Sequence, residues 1–324
     1  MSHALSTVLR SPQCLPVDVS ALRAWTRSPE RFASDGRVFS WSNPAHPGYP
    51  YDEATAVFAH LFEWEGASEL AGQCSAVVRR RLHSGWLGRE GTSYVFDTAL
   101  AMPLVQDAAV VERVLGALEA REACSPVSRP DHWSQMPGPH LLKCAFWLAR
   151  VGEVTFALQW ANELLDTCFD GTRFRIAAGH TTTYLHSHCY AMEGLLGLSA
   201  WLQCHDRLVP SGYRAVLHAG ADWLVRAQHH DGAFPNYVGQ EPTSRPSDVV
   251  AQAARLWSVL DPVTYGASLG MALERLGARQ DRDTGGIAYD DTSADECSWV
   301  AAFALQACGW ADRRPEMDEV QWLI

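Results

Sequence analysis

The feature that most constrains this chain is the return of paired apolar segments at a spacing of roughly 40 to 55 residues. Apolar residues recur every three or four positions across 51–64 and 68–82, 93–105 and 108–122, and 138–151 and 154–168. The pattern continues through 182–203 and 213–228, then 247–260 and 265–276, and closes at 294–310. Strand signals are sparse. A helical hairpin of this kind cannot bury its apolar face alone, so successive units must stack on one another.

Six first-of-pair helices predict closure into a ring. The expected fold is all-α, a single (α/α)6 toroid with an inner barrel of six helices wrapped by an outer set. The last outer helix is either missing or supplied by residues 16–27. An N-terminal segment, 1–40, is therefore expected to pack on or complete a toroid formed by 41–324. Runs such as "CSWVAAFALQACGW" show little polar stripe, which suits helices buried all round.

The connections are rich in Gly, Asp and aromatic residues: "SGWLGREGTSYVFD", "DGTRFRIAAGHTTTYLHSH", "HHDGAFPNYVGQEPTSRPSD" and "DRDTGGIAYDDTSADECSW". Gly and Pro end helices, and Asp or Ser caps the helix that follows. These loops gather at the N-terminal ends of the inner helices, where unpaired N–H groups carry partial positive charge. A funnel floored by helix starts is the expected ligand site.

Composition narrows the function classes. A formal net charge of −11, with no cationic cluster beyond "RRRL" at 79–82, argues against nucleic acid as a partner. No run reaches the roughly 18 apolar residues of a membrane span, and the N-terminus lacks the charged and apolar regions of an export signal. Nine scattered cysteines make a poor disulfide framework. A cytoplasmic protein acting on a small molecule, with no membrane partner, is the expectation. Lys143 is the only lysine.

Four helix entrances hold groups able to move protons. In "SYVFD", Tyr94 and Asp97 lie one turn apart and share a face, although Asp97 also suits ordinary first-turn chemistry. In "TTYLHSHCYAMEGLLGL", helical spacing puts His186, Tyr190 and Glu193 on one stripe and turns His188 about 200° away. Both histidines can face one cavity only where the chain is extended. One of them is the candidate general acid/base. In "EPTSRPSDVV", Asp248 stands at a helix start and Arg245 could clamp an anionic group. In "AYDDTSADECSW", Tyr289, Asp290, Asp291, Asp295, Glu296 and Trp299 run into a buried helix, and crowded carboxyls divide into acid and base. Among the other loop histidines and tryptophans, His140 stands at the third inner helix's entrance, and Trp41, Trp86 and Trp133 offer stacking surfaces.

Several of these phrases resemble known groups. "ADWLVRAQHHDGAF" and "LERLGARQDRDTGGIAY" look like repeats of the α/α-toroid superfamily, which includes terpene cyclases and protein prenyltransferases. "SYVFDTA", "HSHCYAMEGLL" and "SDVVAQAARLW" are similar to the six-hairpin carbohydrate-active enzymes, a second large group of toroids. "AYDDTS" resembles the aspartate acid motif of class II terpene cyclases, with Ala288 in place of its first Asp, and implies Asp290 as acid. "DEC" resembles the zinc ligands of prenyltransferase β subunits, matching Asp295 and Cys297, but no histidine follows to complete the set.

The leading expectation is a metal-independent acid/base enzyme, without cofactor, acting on a carbohydrate or similar polar metabolite by epimerisation, elimination or glycoside cleavage. Its catalytic candidates are His186, His188, Asp97, Asp248, Asp290 and Asp291. Tyr94, His140, Tyr190, Glu193, Arg245, Tyr289 and Trp299 are the substrate-binding candidates. The alternatives are a terpenoid cyclase or prenyl-handling enzyme using Asp290, and a non-catalytic toroid that binds a peptide or partner.

Overall fold

The computed structural model describes residues 16–46 and 48–323. Residues 1–15 of the expected N-terminal segment lie outside the described residues.

Twelve helices longer than one turn form the body. After α1 (Val19–Arg27) come the pairs α2 (Asp52–Trp64) and α3 (Ser68–His83), α4 (Val95–Val105) and α5 (Ala108–Glu119), and α6 (Leu142–Arg150) and α7 (Val154–Cys168). These are followed by α8 (Leu185–Cys204) and α9 (Ser211–Ala227), α10 (Ser247–Leu260) and α11 (Gly266–Arg279), and α12 (Ser298–Asp312). A final turn, α13 (Met317–Val320), lies against α8.

The even-numbered helices α2 to α12 pack in sequence order, and α12 returns to α2, so the inner ring is closed. Helix α1 packs on α12, where a twelfth helix is needed. The fold is an (α/α)6 toroid.

Burial follows the two layers. Every residue of α8 from Leu185 to Leu202 is buried, whereas α9 buries one stripe that includes Tyr213, Leu217 and Leu224. A helix apolar on all sides belongs inside such a ring, and one with a single stripe belongs on its wall. Burying one Leu or Phe contributes about 1.5–3 kcal/mol, so the inner helices carry most of the driving force.

Gly194 marks the tightest approach. A Cβ there would meet the backbone N of Lys143 at 2.5 Å and the carbonyl of Leu142 at 2.6 Å. Only glycine lets α8 come this close to α6.

Several inner helices start later than their apolar pattern suggests, because the residues before them are extended. Pro50–Tyr51 pairs with Val38–Phe39, Thr183–Tyr184 with Tyr237–Val238, and Glu296–Cys297 with Trp41–Ser42. Tyr94 similarly pairs with Cys124. These short antiparallel ladders tie neighbouring loops together at one end of the ring and set the rim of the cavity there. Among the described residues, no helix is long and apolar enough to cross a membrane.

Candidate active site

The inner helices enter the ring in one repeated rotational phase. Counting from each N-cap, the second helical residue is Glu53 in α2, Phe96 in α4, His186 in α8, Asp248 in α10 and Trp299 in α12. At the start of α6 the same place, in the 3-10 turn Pro139–Leu141, belongs to His140. All six line one cavity of about 190 Å³. Tyr51, Tyr94 and Tyr184, the N-caps of α2, α4 and α8, line it too. Asp97 follows Phe96, and Tyr190 stands one turn into α8 from His186. Loops add Arg89, Trp133 and Tyr289.

One wall is a carboxyl pair. Tyr51, Glu53 and Asp97 line it together, and Tyr190 donates to Glu53 Oε1 at 3.3 Å. Asp97 is 3% exposed, and its Oδ2 has no partner. Burial, reinforced by the charge of Glu53, pushes the Asp97 carboxyl well above the usual carboxylate range, against the pull of Arg89. Arg89 donates to Tyr49 Oη at 2.8 Å and lies over the rings of Tyr51 and Tyr94, 5.4 and 5.7 Å from their centroids.

The opposite wall carries His186. Its Nδ1 is 2.8 Å from Gln252 Oε1 and 3.3 Å from Asp248 Oδ2. Burial raises the Asp248 carboxyl, opposed by the neighbouring His186. The His186 ring stands edge-on to Tyr190 and Trp133, with centroids 4.2 and 5.4 Å apart.

Between the walls sits His140, 1% exposed, with neither ring nitrogen hydrogen-bonded. Burial, and then the nearby His186 and His132, lower its pKa to about 3, so it is neutral. Trp133 packs edge-on to His140 at 5.3 Å and stacks on Tyr184 at 5.0 Å.

Beneath the cavity lies a polar tier. Glu193 Oε2 accepts from Lys143 Nζ at 2.8 Å and from Gln252 Nε2 at 3.3 Å, and Glu193 Oε1 accepts from Arg255. Burial brings the Lys143 ammonium down to about 8, opposed by Glu193.

Of the sequence candidates, the cavity brings together His186, Asp97, Asp248, Tyr94, His140, Tyr190, Tyr289 and Trp299. The others stand elsewhere. His188 faces the outer layer: its Nδ1 accepts from the Phe174 N–H at 3.1 Å, and its ring packs on Trp223 at 4.9 Å. Helix α8 has already begun at Leu185, so residues two apart point to different sides. Glu193 is fully buried in the tier below. Asp290 closes its own loop, accepting from Thr292 N, Thr292 Oγ1 and Ser293 N. Asp291 pairs with Arg245, Arg275 and Arg279, and Arg245 also binds Asp231, in an ion cluster at the surface. Both Asp290 and Asp291 precede the extended stretch that delays α12, which keeps them out of its first turn.

Asp295 accepts from Asn43 at 2.8 Å, and Cys297 lies in the strand paired with Trp41. Among the described residues, no three His, Cys, Asp or Glu side chains gather as metal ligands.

Glu53, Tyr51 and Arg89 also line the cavity and are not among the sequence candidates above. Glu53 carries a signal visible in retrospect, because it occupies the same second helical position as His186 and Asp248.

A larger groove of about 530 Å³ lies at the opposite ends of α4 and α6, lined by Gln106, Asp107, Glu112, Arg150 and Glu153 among others. It contains no histidine and none of the repeated helix starts, so the smaller cavity is the better site.

The sequence matches no protein-family model and no curated protein. Solved structures do match. Cellobiose 2-epimerase from Bacillus thermoamylovorans B4167 superposes with a TM-score of 0.67 at 11% identity, over 89% of this chain and 98% of that one. A sugar epimerase from a ruminal bacterium gives 0.66 at 9% identity, over 92% and 99%. An unsaturated glucuronyl hydrolase specific for heparin gives 0.62 at 12% identity, over 90% and 94%. At identities this low the superpositions establish the fold alone, and on that ground the chain is an α/α toroid.

Proposed function

We propose that this chain is an acid/base enzyme acting on a sugar or similarly polar small molecule, with Asp97 as proton donor and His186 as proton acceptor. The observation that carries the proposal is the set of buried polar atoms left without partners at one cavity: Asp97 Oδ2 and both nitrogens of His140. A buried polar group without a partner costs about 1–3 kcal/mol, and a hydroxyl-rich ligand would supply the missing bonds.

A carboxyl held above its usual range can remain protonated and give up its proton. Asp97 meets that condition through burial and the adjacent Glu53. Across the cavity, the His186 imidazole accepts the proton, with Asp248 Oδ2 close enough to its Nδ1 to stabilise the resulting cation. Trp133, Tyr184 and Trp299 offer apolar faces for sugar rings, and His140 and Arg89 supply donors for hydroxyl or carboxylate oxygens. The structural neighbours include sugar epimerases and a glucuronyl hydrolase, which favours this substrate class.

The engagement of Asp290 within its own loop weighs against a cyclase that uses it as acid. An open cavity with converging titratable groups weighs against a toroid that only binds a partner.

The test is incubation with a panel of reducing disaccharides and unsaturated uronides in D2O, followed by NMR. Deuterium on a sugar carbon of an uncleaved disaccharide identifies epimerisation, a new reducing end identifies hydrolysis, and loss of either in Asp97→Asn and His186→Ala supports the assignment. No conversion of any member of the panel counts against the proposal.

A further inference from the structure

Gln252 and Glu193 belong to no part of the chemistry proposed above, yet they are tied to its base in a directional chain. Glu193 is a carboxylate between two buried cations, Lys143 and Arg255, and an ionised carboxylate only accepts hydrogen bonds. Its contact with Gln252 Nε2 at 3.3 Å therefore fixes the orientation of that amide. The NH2 points down to Glu193 and the carbonyl Oε1 points up to His186 Nδ1, 2.8 Å away. A carbonyl oxygen cannot donate, so the proton of this contact resides on Nδ1. Among the described residues, Nε2 of His186 has no hydrogen-bond partner, and the ring lines the cavity.

We infer that Gln252, oriented by Glu193, is a positioning residue that holds His186 as the Nδ1–H tautomer and so leaves the Nε2 lone pair as the base. This rests on the assignment of His186 under the proposed function. Asp248 Oδ2 is the second acceptor near Nδ1, but at 3.3 Å it is the more distant, and Asp248 also accepts from the Val249 N–H. The amide is thus the primary orienting group. The ion pairs beneath act through it: Lys143 and Arg255 fix the Glu193 carboxylate in place, and its oxygen, as an acceptor, keeps the amide from flipping.

The experiment is a long-range 1H–15N correlation spectrum of the imidazole rings in 15N-labelled full-length protein at a pH where the ring is neutral. The His186 signals are assigned by their loss in His186→Ala. The expected wild-type spectrum shows Nδ1 protonated and Nε2 bare. Gln252→Leu should lose that preference and lower kcat on whichever sugar is turned over by about tenfold or more, with little change in KM. Gln252→Glu, which retains an acceptor, and Asp248→Asn should keep the tautomer.

A protonated Nε2 in the wild type overturns the inference without any variant having to fold. So does a tautomer that survives Gln252→Leu and is lost in Asp248→Asn. If the tautomer is as expected while His186→Ala still turns over substrate, the positioning stands and the assignment of His186 as base falls.

Discussion

Lys143 Nζ and Glu193 Oε2 meet at 2.8 Å in the interior of the ring, where neither side chain is more than 1% exposed. Arg255 holds the other oxygen of the same carboxylate. Breaking a buried pair from one side leaves an uncompensated charge and costs about 3–5 kcal/mol. Glu193→Gln leaves two buried cations without their shared anion and should lose stability of that order. Lys143→Met leaves the Arg255 pair intact and should lose less. Urea unfolding of the two variants compares them, and equal losses would show that Glu193 is not the hub.

Gly194 permits the approach of α8 to α6 that brings this pair together. Gly194→Ala places a methyl group within 2.6 Å of backbone atoms that cannot move aside independently. Overpacking of this kind costs about 1–3 kcal/mol. The accompanying shift of α8 should also displace His186, so turnover falls together with the denaturation midpoint.

Asp97 gives a stability signature independent of any substrate. Its carboxyl is raised in the folded state, so between its unfolded pKa, about 4, and its native one the folded protein binds the extra proton. Stability from this group is therefore full at low pH and is lost as pH rises through the native value. Asp97→Asn removes the titration. Its melting temperature should gain on the wild type as pH rises above about 4, while its turnover drops by about 10²–10⁴-fold. A constant difference in melting temperature across pH would mean that folding does not raise the Asp97 carboxyl.

His188 separates structure from catalysis. Its pKa is held down to about 3 by burial, so the folded protein keeps it neutral while the unfolded chain takes up a proton below about 6.5. The contribution is present above that value and is lost as pH falls toward 3, at about 1.4 kcal/mol per pH unit. His188→Gln should flatten the acid limb of a stability–pH curve by one proton. The same variant should retain turnover, whereas His186→Ala should not. A catalytic defect in His188→Gln comparable to that of His186→Ala would contradict the placement of His188 toward α9.

The ring was legible because hairpin spacing and all-round apolar helices are properties of the chain read locally. His186, Asp97 and Asp248 were legible for a related reason: each stands within the first turn of a helix whose start is marked by a tyrosine or a proline. Glu53 was passed over because "YDEATAVF" carries no motif, although it fills the same position as His186. Asp290, Asp291 and Arg245 were drawn in by proximity in sequence to inner helices. Their fate depends on loop closure and on cations from α11, which no local pattern announces. The orientation of Gln252 was beyond reach for the same reason, since it depends on a carboxylate 59 residues away.

The most direct measurement is a crystal structure of Asp97→Asn soaked with a disaccharide that the wild type converts. The expected density places a sugar ring between residue 97 and His186, with a hydroxyl on His140 and a ring face against Trp133. Density confined to the groove at the opposite ends of α4 and α6, with the cavity of the helix starts holding only water, would contradict the assignment of the active site.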